Sequence, residues 1–206
     1  AIGDSLSESI GTLRITVTFP GNEKEFRVWA HGPLNGKINK VSNQELKAEV
    51  TNVYSYEAVD IRAVFDKSVI PSSTKKTNVD ALAKILNYEE DAANQANYER
   101  EQKEYKNQQT AYEELAYCNR YPTRVCYNNA SYYVSLVTDE TVFKDLQTKL
   151  EELHVLVIKA EETTAKEDVK LALEYRDYYW YKEAMESVKL LENEELKSEL
   201  LAKLVP

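Results

Sequence analysis

Glycine is scarce in this 206-residue chain, and its five glycines all lie at or before Gly36. Because glycine enters positive φ at little steric cost, the tight backbone geometry must be concentrated in this first part of the chain. The lack of glycine after Gly36 also removes most phosphate-cradling loops from the remainder. No Walker, Rossmann, nucleophile-elbow or HExxH pattern occurs. The sequence therefore lacks the common signatures of nucleotide-binding proteins and hydrolases.

Basic residues and long apolar runs are also lacking. The chain has 26 Lys and Arg against 35 Asp and Glu, a formal net charge of −9. This balance argues against binding to nucleic acid or to an anionic membrane surface. No run of 18 apolar residues is present, and the first residues have neither the basic start nor the apolar core of a secretory signal. We therefore expect neither a nucleic-acid partner nor a membrane span in this sequence.

Cysteine occurs only at Cys118 and Cys126. Two cysteines without a nearby histidine cannot complete a structural zinc site, and their spacing is not that of a CxxC redox pair. A local disulfide is the preferred interpretation. It would stabilise the folded state by roughly 2–3 kcal/mol through loop-closure entropy. A disulfide would place the protein outside the cytoplasm. Two unpaired buried thiols are the alternative.

The first part of the chain has the alternating pattern of β-strands. In residues 13–19 every second position is apolar, which predicts a strand with one buried face. Similar short runs cover residues 26–30, 38–41, 46–50 and 59–65. Asn35-Gly36, between the second and third runs, predicts a hairpin. Residues 1–77 are therefore predicted to be an antiparallel β domain, as a sheet or part of a sandwich.

The rest of the chain has helical patterns. Thr77-Asn-Val-Asp80 resembles a capping box, and neither glycine nor proline follows until Pro122, which predicts one long helix over residues 78–117. On this helix three tyrosines recur every seven residues, either as a packing seam or as a binding ladder: Tyr98, Tyr105 and Tyr112.

A cysteine-containing loop over residues 118–137 is predicted to lead into a helical bundle over residues 138–206. Its helices would begin at Thr138-Asp139, at the capping box Thr164-Ala-Lys-Glu167, and at Asn193 or Glu194. The short links between them favour antiparallel neighbours. The predicted fold class is α+β: an antiparallel sheet or partial sandwich followed by a long helix and a small antiparallel helical bundle.

One stretch combines a tryptophan, a histidine and two turn signals: Trp29-Ala-His-Gly-Pro-Leu-Asn-Gly36. It resembles the extracytoplasmic part of a bacterial family of predicted membrane proteins, domain of unknown function 2207. The order of the flanking segments is also similar to that family, over about residues 1–105 in all. These segments are Ile2-Gly-Asp4, residues 10–20, residues 59–65, Ile85-Leu-Asn-Tyr-Glu-Glu90 and Asn97-Tyr-Glu-Arg100.

The resemblance implies an exported β domain attached to a membrane through parts of the full-length protein that are not present here. It also implies further strands upstream and a membrane span soon after the helix. This sequence departs from the family there, because the cysteine loop and the helical bundle stand in that place. The family supplies no catalytic residues.

His31 and His154 are the only histidines, and each has two interpretations. His31, beside Gly32-Pro33, could be a general base or a metal ligand, or could stabilise the turn by a hydrogen bond. Glu151-x-x-His154 has the spacing of carboxylate-bridged metal bundles, but such a site needs a second Glu-x-x-His, so a surface Glu–His pair is the default. We assign no catalytic residue, metal ligand or cofactor. The turn motif itself comprises Trp29, His31, Gly32, Pro33, Asn35 and Gly36.

An aromatic cluster near the C-terminus exceeds what ordinary packing needs. Its members cannot all share one face of a helix, so some rings should point away from the core. Exposed Tyr and Trp are rigid anchors for protein partners or glycans. A helix buried on both sides is the alternative. The cluster comprises Tyr175, Tyr178, Tyr179, Trp180 and Tyr181.

The sequence favours a non-enzymatic, extracytoplasmic region of a membrane-attached bacterial protein, on the outer face of the cell membrane. It would bind a protein or another partner in the cell envelope. One alternative is an envelope hydrolase or metal-dependent enzyme centred on His31, which requires that histidine in a pocket beside a carboxylate or an ion. Another is a structural spacer or assembly module built on the long helix, which would form oligomers as concentration rises.

Overall fold

The computed structural model describes residues 7–20, 26–69, 74 and 79–204. The segment Ile2-Gly-Asp4 and the start of the predicted capping box at Thr77 lie outside the described residues. The chain divides into two compact units, residues 1–100 and residues 101–206. The boundary falls inside the long helix, whereas the sequence-based division gave that helix a segment of its own.

The described residues of the first unit form five antiparallel strands in two sheets. Strands β1 (Ile10–Thr18), β4 (Glu45–Val53) and β3 (Lys37–Lys40) form a three-stranded sheet in that order. Strands β2 (Arg27–His31) and β5 (Asp60–Val64) form the second sheet. All five predicted strands are present, and β4 shows the alternation clearly, with buried side chains on one face. The predicted α+β class is confirmed.

The hairpin predicted at Asn35-Gly36 does not form, because the strands on either side belong to different sheets. The turn itself is present, since the Gly36 N–H donates to the carbonyl oxygen of Pro33 at 3.0 Å. The side-chain amide of Asn35 donates to the carbonyl oxygen of Thr51 at 2.7 Å. The turn is thus fixed to β4, and it carries the chain from one sheet into the other.

Gly32 turns the chain at the end of β2. Its φ is 151°, a conformation that residues with a side chain rarely adopt. A Cβ at this position would lie 3.1 Å from the carbonyl oxygen of Ala58 and 3.3 Å from a methyl carbon of Val59. The close approach of the segment before β5 therefore requires glycine.

Two apolar clusters stabilise the first unit. In one, Phe19, Phe26 and Leu46 are buried, and half-buried residues of both sheets pack against them. In the other, Val50, Val53 and Val59 are buried. The first cluster draws on both sheets and so holds them together, whereas the second packs β1 and β4 against Val59, which precedes β5.

Five helices follow: α1 (Leu82–Arg120), α2 (Arg124–Ser135), α3 (Glu140–Tyr175), α4 (Tyr178–Lys189) and α5 (Glu194–Leu204). The long helix predicted over residues 78–117 corresponds to α1. Among the described residues, none of these helices has the length and apolarity needed to cross a bilayer.

Two of the predicted helix boundaries were wrong. The segment predicted as a loop over residues 118–137 contains α2, because Pro122 follows the end of α1 and the Thr123 hydroxyl then accepts the N–H of Cys126 as an N-cap. No helix begins at Thr164, because the buried line of α3 runs on through Ala165 and Val169. The break comes instead at Arg176, which ends α3 in the left-handed conformation with φ 54°.

The predicted tyrosine seam of α1 is not a seam in the described structure. Tyr98 and Tyr105 are exposed, and Tyr112 is exposed while its hydroxyl donates to Asp145 at 2.9 Å. The packing face of α1 in the second unit lies elsewhere on the helix, at Ala111, Leu115 and Cys118. These residues join α2 and the first half of α3 in one apolar cluster, whereas the second half of α3 packs with α4 and α5 in another.

Candidate functional site

A cavity of about 460 Å³ lies in the first unit, between strand residues and residues 89–100 of α1. Most of its lining is apolar, from residues such as Ile15, Val28, Val50 and Ala96. Three of the α1 residues that line it have small side chains: Ala92, Ala93 and Ala96. All members of the predicted turn motif except Asn35 line it: Trp29, His31, Gly32, Pro33 and Gly36.

Glu89 is the one buried charged residue among those that the structure describes, with 2% of its surface exposed. It lies on the inner line of α1 with Ile85, Ala92 and Ala96, which are half-buried. A buried carboxylate is costly unless it is paired. The guanidinium of Arg62, on β5, supplies one partner by donating to the Glu89 Oε1 atom.

The other carboxylate oxygen of Glu89 faces His31. The Nε2 atom of His31 lies 3.0 Å from Oε2 of Glu89. These two buried atoms therefore contact each other as an ion pair, although the contact lies outside hydrogen-bond geometry. Tyr88 flanks the group, with its ring 4.9 Å from the guanidinium carbon of Arg62.

Arg100 makes a second contact between α1 and the stretch Trp29–Gly36. Its Nε donates to the carbonyl oxygen of Leu34 at 3.2 Å, and its Nη1 donates to Asn97 at 3.1 Å. Leu34, Asn97 and Arg100 all line the cavity. Helix α1 therefore contacts the stretch Trp29–Gly36 at two residues, His31 and Leu34.

His31 lies beside a turn, as predicted, whereas no sequence pattern pointed to Glu89 or Arg62 as its neighbours. The spacing of Ile85, Glu89, Ala92 and Ala96 could have revealed that Glu89 occupies an inward position. The cavity beside a carboxylate is the setting that the His31 enzyme hypothesis required.

In the second unit, Cys118 and Cys126 form a disulfide, with 5.6 Å between their Cα atoms. The bond links the last turn of α1 to the first turn of α2, and both side chains are buried. This is the pairing predicted from the sequence.

Arg124, at the start of α2, is the centre of a charged cluster that no sequence motif indicated. It donates to both carboxylate oxygens of Glu161, at 3.0 and 2.6 Å, and its Nη1 lies 2.7 Å from Glu192. The hydrogen bond with Glu161 raises the pKa of Arg124. His154 lies 3.2 Å from Glu192 and stacks on Tyr127, with 4.8 Å between the ring centroids.

His154 is thus paired with Glu192, and not with Glu151 as the sequence spacing suggested. The hydrogen bond from His154, together with Arg124, lowers the pKa of Glu192. Among the described residues, no three His, Cys, Asp or Glu side chains are grouped as metal ligands. The cluster joins α2 and α3 to the segment between α4 and α5.

The aromatic cluster lies at the junction of α3 and α4. Trp180 stacks on Tyr175 with 5.6 Å between ring centroids and meets Tyr179 edge-on at 5.2 Å. Trp180 is half-buried against the apolar cluster of the last three helices, and the four tyrosines are exposed. Tyr178 is the most exposed of them, at 80%. The alternative of a helix buried on both sides is therefore wrong.

Comparison with protein families gives one finding. The model of the DUF2207 N-terminal domain, described as a predicted membrane protein, matches residues 1–65. The resemblance seen in the sequence is confirmed over that segment. The DUF2207 match covers all five strands and both His31 and Arg62, whereas Glu89 and the helices lie beyond it. Comparison with curated proteins and with solved structures yields no match.

Proposed function

We propose that this chain is a non-enzymatic, extracytoplasmic region of a membrane-attached protein that binds a protein partner in the cell envelope. The partner surface is formed by Tyr175, Tyr178, Tyr179, Trp180 and Tyr181. Membrane association is supported by the match of residues 1–65 to a family of predicted membrane proteins.

The proposed location on the outer side of the membrane is supported by the Cys118–Cys126 disulfide. Disulfides persist in oxidising compartments and are rare in the reducing cytosol. Both sulfur atoms belong to buried residues that bridge two helices, so the bond is part of the packed core of the second unit.

The exposed aromatic surface is the observation that carries partner binding. Four tyrosines stay exposed around one half-buried tryptophan, and ring contacts with Trp180 orient two of them, Tyr175 and Tyr179. Tyrosine and tryptophan are enriched at protein interfaces because each supplies a large, rigid contact area at a low entropy cost. A protein partner would cover this surface on binding.

Capture of envelope proteins by the immobilised chain tests the proposal. We expect Tyr178→Ala/Tyr179→Ala to reduce recovery of a captured protein about tenfold, the loss typical of removed interface anchors. Tyr98→Ala is the matched control, since Tyr98 is similarly exposed but lies in the first unit. Equal capture by the wild type and both variants would refute the aromatic surface as the binding site.

A second candidate is an envelope hydrolase or metal-dependent enzyme centred on His31. One observation favours it, namely that His31 lies beside Glu89 in a cavity. A panel of ester, phosphoester and glycoside substrates, assayed with and without added divalent metal, tests this candidate. It predicts turnover that His31→Gln abolishes and His154→Gln retains; turnover unaffected by His31→Gln would exclude it.

A further inference from the structure

Strand β1 is one edge of the three-stranded sheet, and among the described residues it pairs with β4 alone. An edge strand presents unpaired N–H and C=O groups, and proteins usually protect it by shortness, lysine, proline or a bulge. β3, the opposite edge, is protected in this way, since it has four residues with lysine at both ends. β1 has none of these features in its nine residues, and its register with β4 is unbroken from Thr12 to Thr18.

The register identifies the backbone groups of β1 that face away from β4. In an antiparallel pair, opposed residues alternately do and do not exchange hydrogen bonds. The N–H of Phe19, directly after β1, donates to the carbonyl oxygen of Gln44 at 2.8 Å, so the odd-numbered residues of β1 bond to β4. The N–H and C=O groups of the even-numbered residues therefore point outward from the edge of the sheet: Thr12, Arg14, Thr16 and Thr18.

The side chains of β1 follow the same pattern in both directions, which suits pairing with a second copy of the strand. Exposed side chains at the even positions alternate with half-buried Leu13, Ile15 and Val17. In an antiparallel β1–β1 pair with its two-fold axis at Ile15, Leu13 would face Val17 of the second copy, and Arg14 would face Thr16. All the outward-facing residues would then be paired, with about eight backbone hydrogen bonds in total.

Charge favours the same register. Arg14 is the only charged residue of β1, and its Nε lies 2.6 Å from Glu49 of β4. A two-fold axis at Arg14 would set the arginines of the two copies opposite each other, and like charges directly opposite are destabilising. An axis at Leu13 or at Thr16 would leave one end of β1 opposite residues outside the strand. The axis at Ile15 therefore gives the most complete pairing.

We propose that a second copy of this chain pairs with β1 in this register and joins the two three-stranded sheets into one continuous sheet. The aromatic partner surface lies in the other unit, so this pairing does not depend on it. It is also distinct from assembly through the long helix α1. A single added strand pair buries little surface, so the dimer is weak and its population rises with concentration.

Sedimentation of the whole chain between about 1 µM and 1 mM, with amide hydrogen exchange at the same concentrations, tests the proposal. The mass should rise from that of one copy toward that of two. Exchange of the Arg14 and Thr16 amides should slow at least about threefold, whereas the Ile15 amide, already bonded to β4, should change much less.

Each other outcome would overturn the proposal. A monomer at the highest concentration would exclude the dimer. A rise in mass without slower exchange of Arg14 and Thr16 would place the contact elsewhere, for example on α1. Slow exchange of both amides at every concentration would show that this edge is already covered within one chain.

Two substitutions at Thr16 locate the interface. Thr16→Pro removes an N–H that points away from β4, and proline is tolerated at such positions of edge strands. It should weaken the dimer at least about tenfold, because each copy loses a hydrogen bond and the ring obstructs the approach. Thr16→Val keeps the N–H and should leave the dimerisation constant within about twofold of the wild type.

Equal dimerisation constants for the wild type and Thr16→Pro would overturn the assignment to the β1 edge. Circular dichroism checks that both variants are folded. If Thr16→Pro does not fold, Arg14→Pro replaces it, since the N–H of Arg14 also points outward. The exchange measurement on the wild type decides independently of both variants.

Discussion

Arg124 holds Glu161 by two parallel contacts, from Nε to Oε1 at 3.0 Å and from Nη2 to Oε2 at 2.6 Å. Both side chains are largely withdrawn from solvent, with 27% and 12% of their surfaces exposed. Two parallel hydrogen bonds of this kind fix the relative orientation of the two side chains and also pair their charges. The start of α2 is thereby attached to the middle of α3.

Glu161→Gln should weaken this attachment. Because Arg124 would lose its charged bidentate partner in a half-buried place, we expect the free energy of unfolding to fall by about 1–3 kcal/mol. Urea unfolding followed by circular dichroism measures the loss. Glu199→Gln removes an exposed pair with Lys203 and should leave the midpoint unchanged. A similar midpoint for both variants would contradict the stabilising role of Arg124.

Acid unfolding should depend on Glu104. Burial alone would raise its pKa, but hydrogen bonds from Gln108, Asp139 and Thr138 outweigh this and bring the pKa below the ordinary value of 4.5. A lowered pKa in the folded state stabilises the protein above pH 4.5, and this contribution is lost as the pH falls through the folded-state pKa. The carboxylate accepts N–H groups just before α3, where a negative charge is favourable.

Glu104→Gln should therefore cost about 1–2 kcal/mol at neutral pH, because the four groups that donate to Glu104 lose their charged acceptor. The stability curves of the variant and the wild type should converge on acidification below pH 4.5. Glu113→Gln, an exposed change on the same helix, should follow the wild type throughout. A constant difference between the Glu104 variant and the wild type down to pH 3 would show that the charge is not responsible.

A mass measurement tests whether the Cys118–Cys126 disulfide is present. Denatured, unreduced protein should contain no free thiol and should gain about two daltons on reduction, because one S–S bond becomes two S–H groups. Cys118→Ala/Cys126→Ala should be less stable by roughly 2–3 kcal/mol through the entropy of the short loop. Two free thiols in material purified without reductant would remove the support for a location on the outer side of the membrane.

Gly32→Ala should destabilise the first unit by about 1–3 kcal/mol, since its φ is unfavourable for alanine and the added Cβ would crowd the carbonyl of Ala58. Gly11→Ala is the natural control, because a Cβ there meets nothing within 4 Å. Thermal unfolding of the two variants compares them directly. Equal melting temperatures would show that the backbone at Gly32 relaxes without cost.

The strands could be predicted from the sequence because alternate residues face the core, as Leu46, Ala48 and Val50 do. Their pairing could not, because alternation says which face is buried and not which strand lies beside it. Asn35-Gly36 illustrates the difference. Its turn is formed, but a side-chain bond to Thr51 attaches it to β4 in place of a hairpin.

The missed parts of the candidate site and of the charged cluster have one physical cause. Glu89 and Glu161 lie among inward-facing helical residues, and in each case an arginine from another element makes that position tolerable: Arg62 and Arg124. Sequence spacing cannot reveal a partner that only the fold brings near. The capping box Thr164-Ala-Lys-Glu167 predicted a new helix inside α3, whereas Arg176, which carries no glycine or proline signal, ends it.

The strand order of the first unit has a consequence for how fast it forms. β1 pairs Ile10 with Val53, and β2 pairs Arg27 with Val64, whereas only the β3–β4 pair joins neighbours such as Lys40 and Leu46. Distant pairings must close long loops before they gain any contact energy, which slows folding. The second unit is built from consecutive helices with short links. Refolding should therefore have a fast helical phase and a slower phase in which Trp29 fluorescence changes. Residues 7–69 should then be the part of a newly made chain that remains unfolded longest.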